Sequence, residues 1–330
     1  MGLSLNFNRG GRTMFKVCKT DNNKNLIKLK KNRLYNGSWI NVINPTNEEL
    51  EKIANWIKWD VDTLKSSLDI DESSRIEFDE DNFMIIINFP LLDDEGQFDT
   101  LPCSMVFSPK TFMTLCSREN RILGAFTKAN SASFDTKNPE QLMLRILYKS
   151  TQFYQRYLKI INRKTEQIEY NLRNTTNNKE LFALMEIQKS LVYFTTALRD
   201  NQLVLQKLMR MVRTKTLNKS IIFSEADVDL LEDILIENKQ AIEMVDMHRT
   251  ILESMMDGFA SVINNNVNQV MKFLAAITII LSIPTMLASF WGMNVGLPFS
   301  NNEWGFEYVI TISTVLTILV ILFFRKKKMF

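Results

Sequence analysis

The stretch FLAAITIILSIPTMLASFW, from Phe273 to Trp291, contains nineteen residues without a charge. A helix of this length is about 28 Å long, which matches the hydrocarbon core of a bilayer. A second uncharged stretch, YVITISTVLTILVILFF, runs from Tyr308 to Phe324. The alternative, an apolar hairpin inside a large soluble core, rarely uses uncharged runs of this length. The sequence therefore predicts two membrane-spanning helices near the C-terminus.

The charges beside these stretches predict their orientation. Lys272 precedes the first stretch, the basic run 325–328 follows the second, and residues 292–307 between them contain no Lys or Arg. Because positive residues favour the cytosolic side, we expect both chain ends in the cytosol and only the short connection outside. The chain would then be a multi-pass protein of the cell membrane, plasma or inner, with a large cytosolic body.

The composition argues against several other classes of protein. The net charge of +3 is small for 330 residues, and Lys and Arg are scattered among acids, so no nucleic-acid partner is indicated. The three cysteines lack CxxC spacing, which fits a reducing cytosol and not a structural zinc site. We find neither a Gly-rich loop for a nucleotide nor a catalytic group of residues, so we expect no nucleotide cofactor and no enzyme.

The periodicity of the chain predicts its fold class. Residues 1–137 hold short alternating stretches typical of strands and a helical stretch at Asn47–Leu64, whereas the chain from Pro139 onward is helical almost without interruption. We expect an α+β cytosolic N-terminal domain followed by long helices and two C-terminal transmembrane helices. The strand-like stretches are Phe15–Lys19, Trp39–Ile43, Arg75–Phe89 and Met105–Cys116. The expected regions are a cytosolic α/β domain (1–137), antiparallel cytosolic helices (138–223), a stalk helix continuing into the first span (224–291), an external loop (292–306), the second span (307–324) and a basic cytosolic tail (325–330).

The stalk helix is expected to begin near Ser224 and to associate with other copies. Its apolar positions alternate at spacings of three and four, which is typical of a seam between helices. Because no other His or Cys lies nearby, we expect His248 on this seam to be a packed residue and not a metal ligand. The seam consists of Val245, His248, Leu252, Met255, Phe259 and Val262.

One face of the first span is small and polar. In hydrocarbon such a face must turn towards other helices or water, because an unpaired hydroxyl is costly there. Three readings remain open: tight helix packing, hydroxyls bonded back to their own helix, and a pore lined by several copies. The face consists of Asn264, Asn268, Met271, Ala275, Thr278, Ser282, Thr285 and Ser289, at alternating steps of four and three.

A pore of this kind suits a hydrated divalent cation. Mg²⁺ releases its water ligands reluctantly, so neutral groups that hydrogen-bond to the hydration shell suit it better than a carboxylate cage. Glu303 is the only acid in the outer loop before Glu307. Repeated around a ring it would attract cations to the pore mouth, although an ordinary solvated charge explains it nearly as well.

The first span ends in Phe290-Trp291, followed by Gly292-Met293-Asn294. This resembles the aromatic-Gly-Met-Asn signature of the CorA magnesium transporter family. The layout of long helix, span, short loop, second span and basic tail is similar over the whole chain.

The resemblance implies a funnel-shaped homopentamer for passive, potential-driven uptake of Mg²⁺, with Co²⁺ and Ni²⁺ also carried. It implies that Gly292, Met293 and Asn294 form the selectivity filter. By the same resemblance, Asn268 lies at the cytosolic mouth and Leu274 forms an apolar constriction that joins the pore lining.

The sequence departs from the family at the positions that bind regulatory Mg²⁺ in the cytosol. Regulated members close when cytosolic Mg²⁺ bridges carboxylates of neighbouring subunits, and Asp233 resembles one such position. The expected partner positions hold Lys65 and Ser66, although Asp69 and Asp71 lie close by in sequence. Regulatory Mg²⁺ at these three acids is therefore expected to be weakened, relocated or absent, and a solvated acidic face explains them equally well.

A second departure lies within the pore-lining face. Ser282 stands where the family commonly has a bulky apolar residue, and Pro284 close by is expected to kink the helix. The inner pore is then wider or wetter than usual, with the constriction at Leu274 or Met271.

Two other functions remain open from the sequence. A zinc-transport branch shares this architecture and couples to protons. A membrane-anchored signalling or scaffold protein would instead use the α/β domain as its working part, with the spans only as a tether.

Overall fold

The computed structural model describes residues 14–21, 23–29, 35–79, 82–93, 95–108, 111–127, 134–174, 178–217, 221–293, 296 and 304–327. The chain forms two compact units, residues 1–252 and 253–330. The first unit is an α/β domain with long helices, and the second contains the two apolar helices. The predicted fold class is confirmed.

Within the described residues, one mixed sheet contains seven strands: β1 (Met14–Thr20), β2 (Leu26–Lys28), β3 (Ser38–Ile43), β4 (Arg75–Asp79), β5 (Asn82–Leu92), β6 (Phe98–Phe107) and β7 (Thr111–Cys116). The strand order is β2-β1-β3-β7-β6-β5-β4, with only β3 and β7 parallel. The expectation of one strand over 75–89 is wrong, because Asp79 pairs with Asn82 and the stretch is a hairpin. The stretch Met105–Cys116 is likewise divided between β6 and β7, which form a hairpin with Ser108 and Thr111 hydrogen-bonded to each other at its turn.

Two short helices, α1 (Asn47–Ile57) and α2 (Val61–Ser66), cover one face of the sheet. The single helix expected over 47–64 is wrong. Lys58 has a left-handed backbone, with φ of 54°, and ends α1. Asp60 then begins α2 by accepting the Thr63 N–H at 2.8 Å. Lysine is an unusual residue for such a stop, which glycine or asparagine more often supplies.

The opposite face carries the short helix α3 (Arg121–Gly124) and three long helices: α4 (Pro139–Asn174), α5 (Asn178–Thr214) and the first part of α6 (Glu225–Trp291). Specific hydrogen bonds join these helices to the sheet. Asn201 on α5 accepts the Asn88 N–H at 2.9 Å through Oδ1 and donates from Nδ2 to the Asn88 carbonyl at 2.8 Å. Tyr154 on α4 donates its hydroxyl to the same carbonyl at 2.9 Å.

One face of the first part of α6 is buried within the first unit. Its Asn238 donates to the Leu198 carbonyl of α5 at 3.0 Å, and Val245, His248 and Leu252 are all buried. These three residues form half of the seam that was expected to join copies of the chain. That expectation is therefore wrong for its first half, because the chain's own fold already covers it.

The second unit contains the apolar end of α6 and a further helix, α7 (Gly305–Lys326). Both helices are long and apolar enough to cross a membrane, and only 6% and 0% of their most apolar windows are buried. A hairpin inside a soluble core would bury these residues, so that alternative is wrong. Ile277, Ile280 and Ile283 are partly buried, and Pro284 and Ala288 share a cavity of about 450 Å³ with α7.

Candidate ion pathway

The predicted pore-lining residues all lie on α6, and every one of them is exposed in the single chain. With 100° of rotation per residue, their mean direction is roughly 170° from that of the partly buried residues Ile277, Ile280, Ile283 and Leu287. The helix α7 therefore lies on the side away from the polar face. The polar face is Asn264, Asn268, Met271, Leu274, Ala275, Thr278, Ser282, Thr285 and Ser289.

Three hydroxyls of this face donate to carbonyls of their own helix. Thr278 donates to Leu274 at 2.8 Å, Ser282 to Ile279 at 2.8 Å, and Thr285 to Leu281 at 3.1 Å. The bonding back to the helix that the sequence left open is thus present. It also has a chemical consequence, because a hydroxyl whose single proton is used this way can only accept further hydrogen bonds.

An acceptor-only surface matches the outside of a hydrated cation. The oxygens of the first water shell face Mg²⁺, so the water hydrogens point outward and require acceptors. The hydroxyls of Thr278, Ser282 and Thr285 present such acceptors at successive levels of α6. The arrangement can hold the hydration shell by hydrogen bonds without replacing any water ligand of the ion.

The apolar members of the face differ in position. Met271 is 59% exposed and Leu274 is 57% exposed. By helical rotation, Leu274 lies about 70° from the centre of the polar face, whereas Met271 lies close to it. Met271 is therefore the better placed of the two for an apolar constriction, and Leu274 lies towards the flank.

The proline of the first span is not on the polar face. Pro284 lines the cavity next to α7, together with Ser313 and Thr317, and α6 continues through it to Trp291. The sequence analysis missed Ser313 and Thr317, although small polar residues four apart in the second span are a readable sign of close helix packing. Because Pro284 lacks an N–H, the Ile280 carbonyl loses its usual helical donor.

The C-terminal end of α6 contains the described part of the predicted filter. The Gly292 N–H donates to Ala288 at 3.0 Å and the Met293 N–H to Phe290 at 3.2 Å, so the helix closes here. Gly292 does not have a left-handed φ, and a Cβ placed on it would lie 3.4 Å from the Ala288 oxygen. Its backbone conformation therefore does not require glycine. Asn294 and Glu303 lie outside the described residues.

The three acids predicted to bind regulatory metal are exposed, and the Asp71 N–H donates to the Asp69 carboxylate at 3.2 Å. Asp71 also lines a cavity of about 320 Å³ with Glu72 and Asp200, and burial raises the pKa of Asp200. In the described part of the chain, no three His, Cys, Asp or Glu side chains are grouped to hold a metal ion. Asp69, Asp71 and Asp233 therefore do not form a complete site within one copy.

The fold and the uncovered acceptor face define a class of protein: a two-span membrane protein whose first span is suited to line an ion pathway. Residues 36–326 match the family model described as CorA-like Mg²⁺ transporter protein. The match covers most of the 330 residues, and the chain belongs to this family.

Individual relatives agree with this assignment. The chain is 30% identical over 297 residues to the cobalt/magnesium transport protein CorA of Methanocaldococcus jannaschii, covering 87% of this chain and 90% of the relative. It is 24% identical over 303 residues to the magnesium transport protein CorA of Wolinella succinogenes, covering 88% and 90%. The complete structure of the CorA magnesium transporter from Methanocaldococcus jannaschii superposes with a TM-score of 0.81 at 28% identity, covering 94% of this chain and 97% of that one.

Proposed function

We propose that this chain is one subunit of a homopentameric membrane channel that takes up hydrated Mg²⁺, and also Co²⁺ and Ni²⁺. The observation that carries the proposal is the acceptor-lined face of α6, which lies exposed on the side away from α7. Membership of a family of Mg²⁺ transporter proteins supports the choice of ion.

The exposed face argues for several copies. One helix cannot enclose a passage, whereas a closed ring of copies brings the same face of each α6 to a common axis. In a single copy, the exposed oxygens of Thr278, Ser282 and Thr285 would face hydrocarbon, which offers them no donor. We take the ring and its five copies from the family resemblance.

The driving force in this proposal is the membrane potential. Entry of a divalent cation into a cell with an inside-negative potential is favoured by about 4.6 kcal/mol per 100 mV. The proposed mechanism therefore includes no catalytic step and no nucleotide. Both chain ends are placed in the cytosol, because the basic residues flank the spans on that side.

The filter and the gate complete the proposal. Gly292, Met293 and Asn294 form the outer selectivity filter, and Glu303 raises the local concentration of cations near it. Cytosolic Mg²⁺ bound between copies at Asp233, Asp69 and Asp71 favours the closed state, more weakly than in regulated family members because Lys65 and Ser66 stand at the expected partner positions. Binding there requires two copies, since one copy groups no such site among its described residues.

A growth experiment separates this proposal from a membrane-anchored scaffold. Asn294→Ala is expected to abolish growth of a transport-deficient host at low Mg²⁺, because each copy loses its filter amide. Asn302→Ala removes the same side chain from the same loop and serves as the matched control. Full growth of the Asn294→Ala strain, with the protein present in the membrane, would overturn the channel proposal.

A further inference from the structure

A second pocket lies in the first unit, far along the chain from the proposed pore. It has a volume of about 600 Å³ and lies on the inner face of the sheet at its β2-β1-β3 end, next to α3. Lys16 and Asn41 belong to its sheet side, and Glu119, Leu123 and Phe126 belong to the other side. This volume is in the range of pockets that bind small molecules.

A chain of hydrogen bonds fixes the orientation of the Asn41 amide. The Trp39 indole N–H can only donate, and it donates to Thr114 Oγ1 at 3.0 Å. Thr114 donates its own proton to Asn41 Oδ1, at 3.2 Å. With the amide oxygen of Asn41 facing Thr114, its NH₂ group is the part left for the pocket.

The Asn41 NH₂ group is a donor that borders the pocket. Asn41 is only 7% exposed, and its amide nitrogen makes no hydrogen bond within the described residues. The two N–H groups of the Asn41 amide can therefore donate hydrogen bonds to an acceptor bound in the pocket.

Two lysines add positive charge to the same pocket. Lys16 and Lys28 both line it, and among the described residues neither forms an ion pair. Residues 1–34 contain nine of the chain's 40 Lys and Arg and one of its 37 Asp and Glu, a net charge of +8. The other residues hold 31 basic and 36 acidic side chains, a net charge of −5, so this end of the chain is distinctly cationic.

The remaining walls suit an apolar body. Phe126 is partly buried and packs edge-on against Trp39 at 6.3 Å between ring centroids, and Leu123 is buried beside them. The Glu119 carboxylate can accept a hydrogen bond from a hydroxyl or amino group. Unpaired cations and donors together with an aromatic wall are the features that recognise an organic phosphate.

We propose that this pocket binds an organic phosphate of the nucleoside polyphosphate class, with its phosphates on Lys16, Lys28 and the Asn41 amide. The binding site is separate from the ion pathway and does not depend on transport. If the chain proved not to transport Mg²⁺, the proposed phosphate site would still stand. If the phosphate site proved wrong, the transport proposal would still stand.

The test is a calorimetric titration of the purified full-length chain in detergent, in Mg²⁺-free buffer, with three probes. ATP is expected to bind saturably. Adenosine, which lacks the phosphates, and inorganic tripolyphosphate, which lacks the apolar body, are each expected to bind at least about tenfold more weakly. Equal binding of either probe, or no saturable binding of ATP at millimolar concentration, would overturn the proposal.

Two variants locate the site. Lys16→Gln with Lys28→Gln should weaken ATP binding by about tenfold or more, because two charge-assisted hydrogen bonds are lost. The matched control, Lys19→Gln with Lys52→Gln, removes the same charge outside the pocket and should leave the affinity unchanged. An equal loss in both pairs would show binding by diffuse charge and would overturn the proposal.

The third variant, Asn41→Asp, keeps an acceptor for Thr114 but presents a negative oxygen to the pocket. ATP binding should fall by at least about tenfold, while the circular dichroism spectrum stays unchanged. If Asn41→Asp misfolds, the two lysine pairs still decide the result. Unchanged affinity in a folded Asn41→Asp chain would contradict the proposed donor role.

Discussion

The side-chain amide of Asn201 makes the hydrogen bonds to the Asn88 backbone that a neighbouring strand would otherwise make. Its removal should destabilise the first unit. Strand β4 begins at Arg75, which pairs with Ile86, so β4 does not reach Asn88 on β5. Asn201 supplies the acceptor and the donor for the Asn88 backbone at 2.9 and 2.8 Å. It also accepts the Ser74 hydroxyl at 2.7 Å. We predict that Asn201→Ala lowers stability substantially.

The expected loss in the free energy of unfolding depends on which hydrogen-bond partners Asn88 keeps in Asn201→Ala. Tyr154 still donates to the Asn88 carbonyl at 2.9 Å, so that group keeps one bond. The Asn88 N–H loses its Asn201 acceptor inside a residue that is only 7% exposed. An unsatisfied buried donor costs about 1–3 kcal/mol, and the lost bond to the Asn88 carbonyl adds about 1 kcal/mol, which gives roughly 2–4 kcal/mol for the two bonds to Asn88. The third bond, from Ser74, is not counted because Ser74 is only partly buried.

The assay is thermal unfolding of the full chain in detergent, followed by far-ultraviolet circular dichroism. The predicted loss corresponds to a melting temperature lower by roughly 4–16 °C. Lys207→Ala changes an exposed residue on the same helix and should lie within about 0.5 kcal/mol of the parent chain. If Asn201→Ala has the same melting temperature as Lys207→Ala, the role assigned to the Asn201 amide is wrong.

Three further predictions concern the ion pathway and the buried histidine. Thr278→Val should lower Mg²⁺ flux into liposomes at least about tenfold, because it removes an acceptor at constant size, whereas Thr278→Ser should keep most of the flux; equal flux in both variants would count against an acceptor-lined pore. Ser282→Leu should also reduce the flux by narrowing the passage and removing an acceptor, and undiminished flux would show that this level does not line the pathway. Burial lowers the pKa of His248 below 6.5, against the raising influence of Glu166, so the unfolded chain binds this proton more readily. Its contribution to stability is therefore complete above about pH 6.5 and is lost as the pH falls through the folded pKa. The melting temperature of the parent chain should drop more between pH 7.5 and 5.5 than that of His248→Gln, and parallel curves would contradict this.

The long helices could be predicted because their signals are local. Uncharged runs gave the two spans, and the absence of proline between residue 139 and Pro284 gave the cytosolic helices. The start of α6 was readable too: the Asp227 N–H donates to Ser224 Oγ at 3.3 Å, and the Asp227 carboxylate accepts the Ser224 N–H at 2.9 Å. Each of these features depends on neighbours in sequence.

The errors arose where distant contacts decide the structure. The repeat at Val245, His248 and Leu252 looks the same whether it packs against the chain's own helices or against another copy. Only the fold shows that it is buried within the chain. The break at Lys58 was missed because its left-handed backbone is stabilised by the packing of α1 and α2 and not by residue type.

The candidate site was predictable in position but not in its chemistry. The spacing of Thr278, Ser282 and Thr285 placed them on one face of a helix. The direction of their hydroxyl protons, and the location of α7 away from that face, required coordinates. The filter residue Asn294 rests on the family signature, since it lies outside the described residues.

The central claim, Mg²⁺ passage driven by potential, is tested most directly by flux into liposomes that contain only this chain. Mg²⁺ or Zn²⁺ is supplied outside, under an inside-negative potential, with and without a pH gradient. We expect Mg²⁺ flux that rises with the potential and does not need the pH gradient. Zn²⁺ flux that requires the pH gradient, without Mg²⁺ flux, would contradict it.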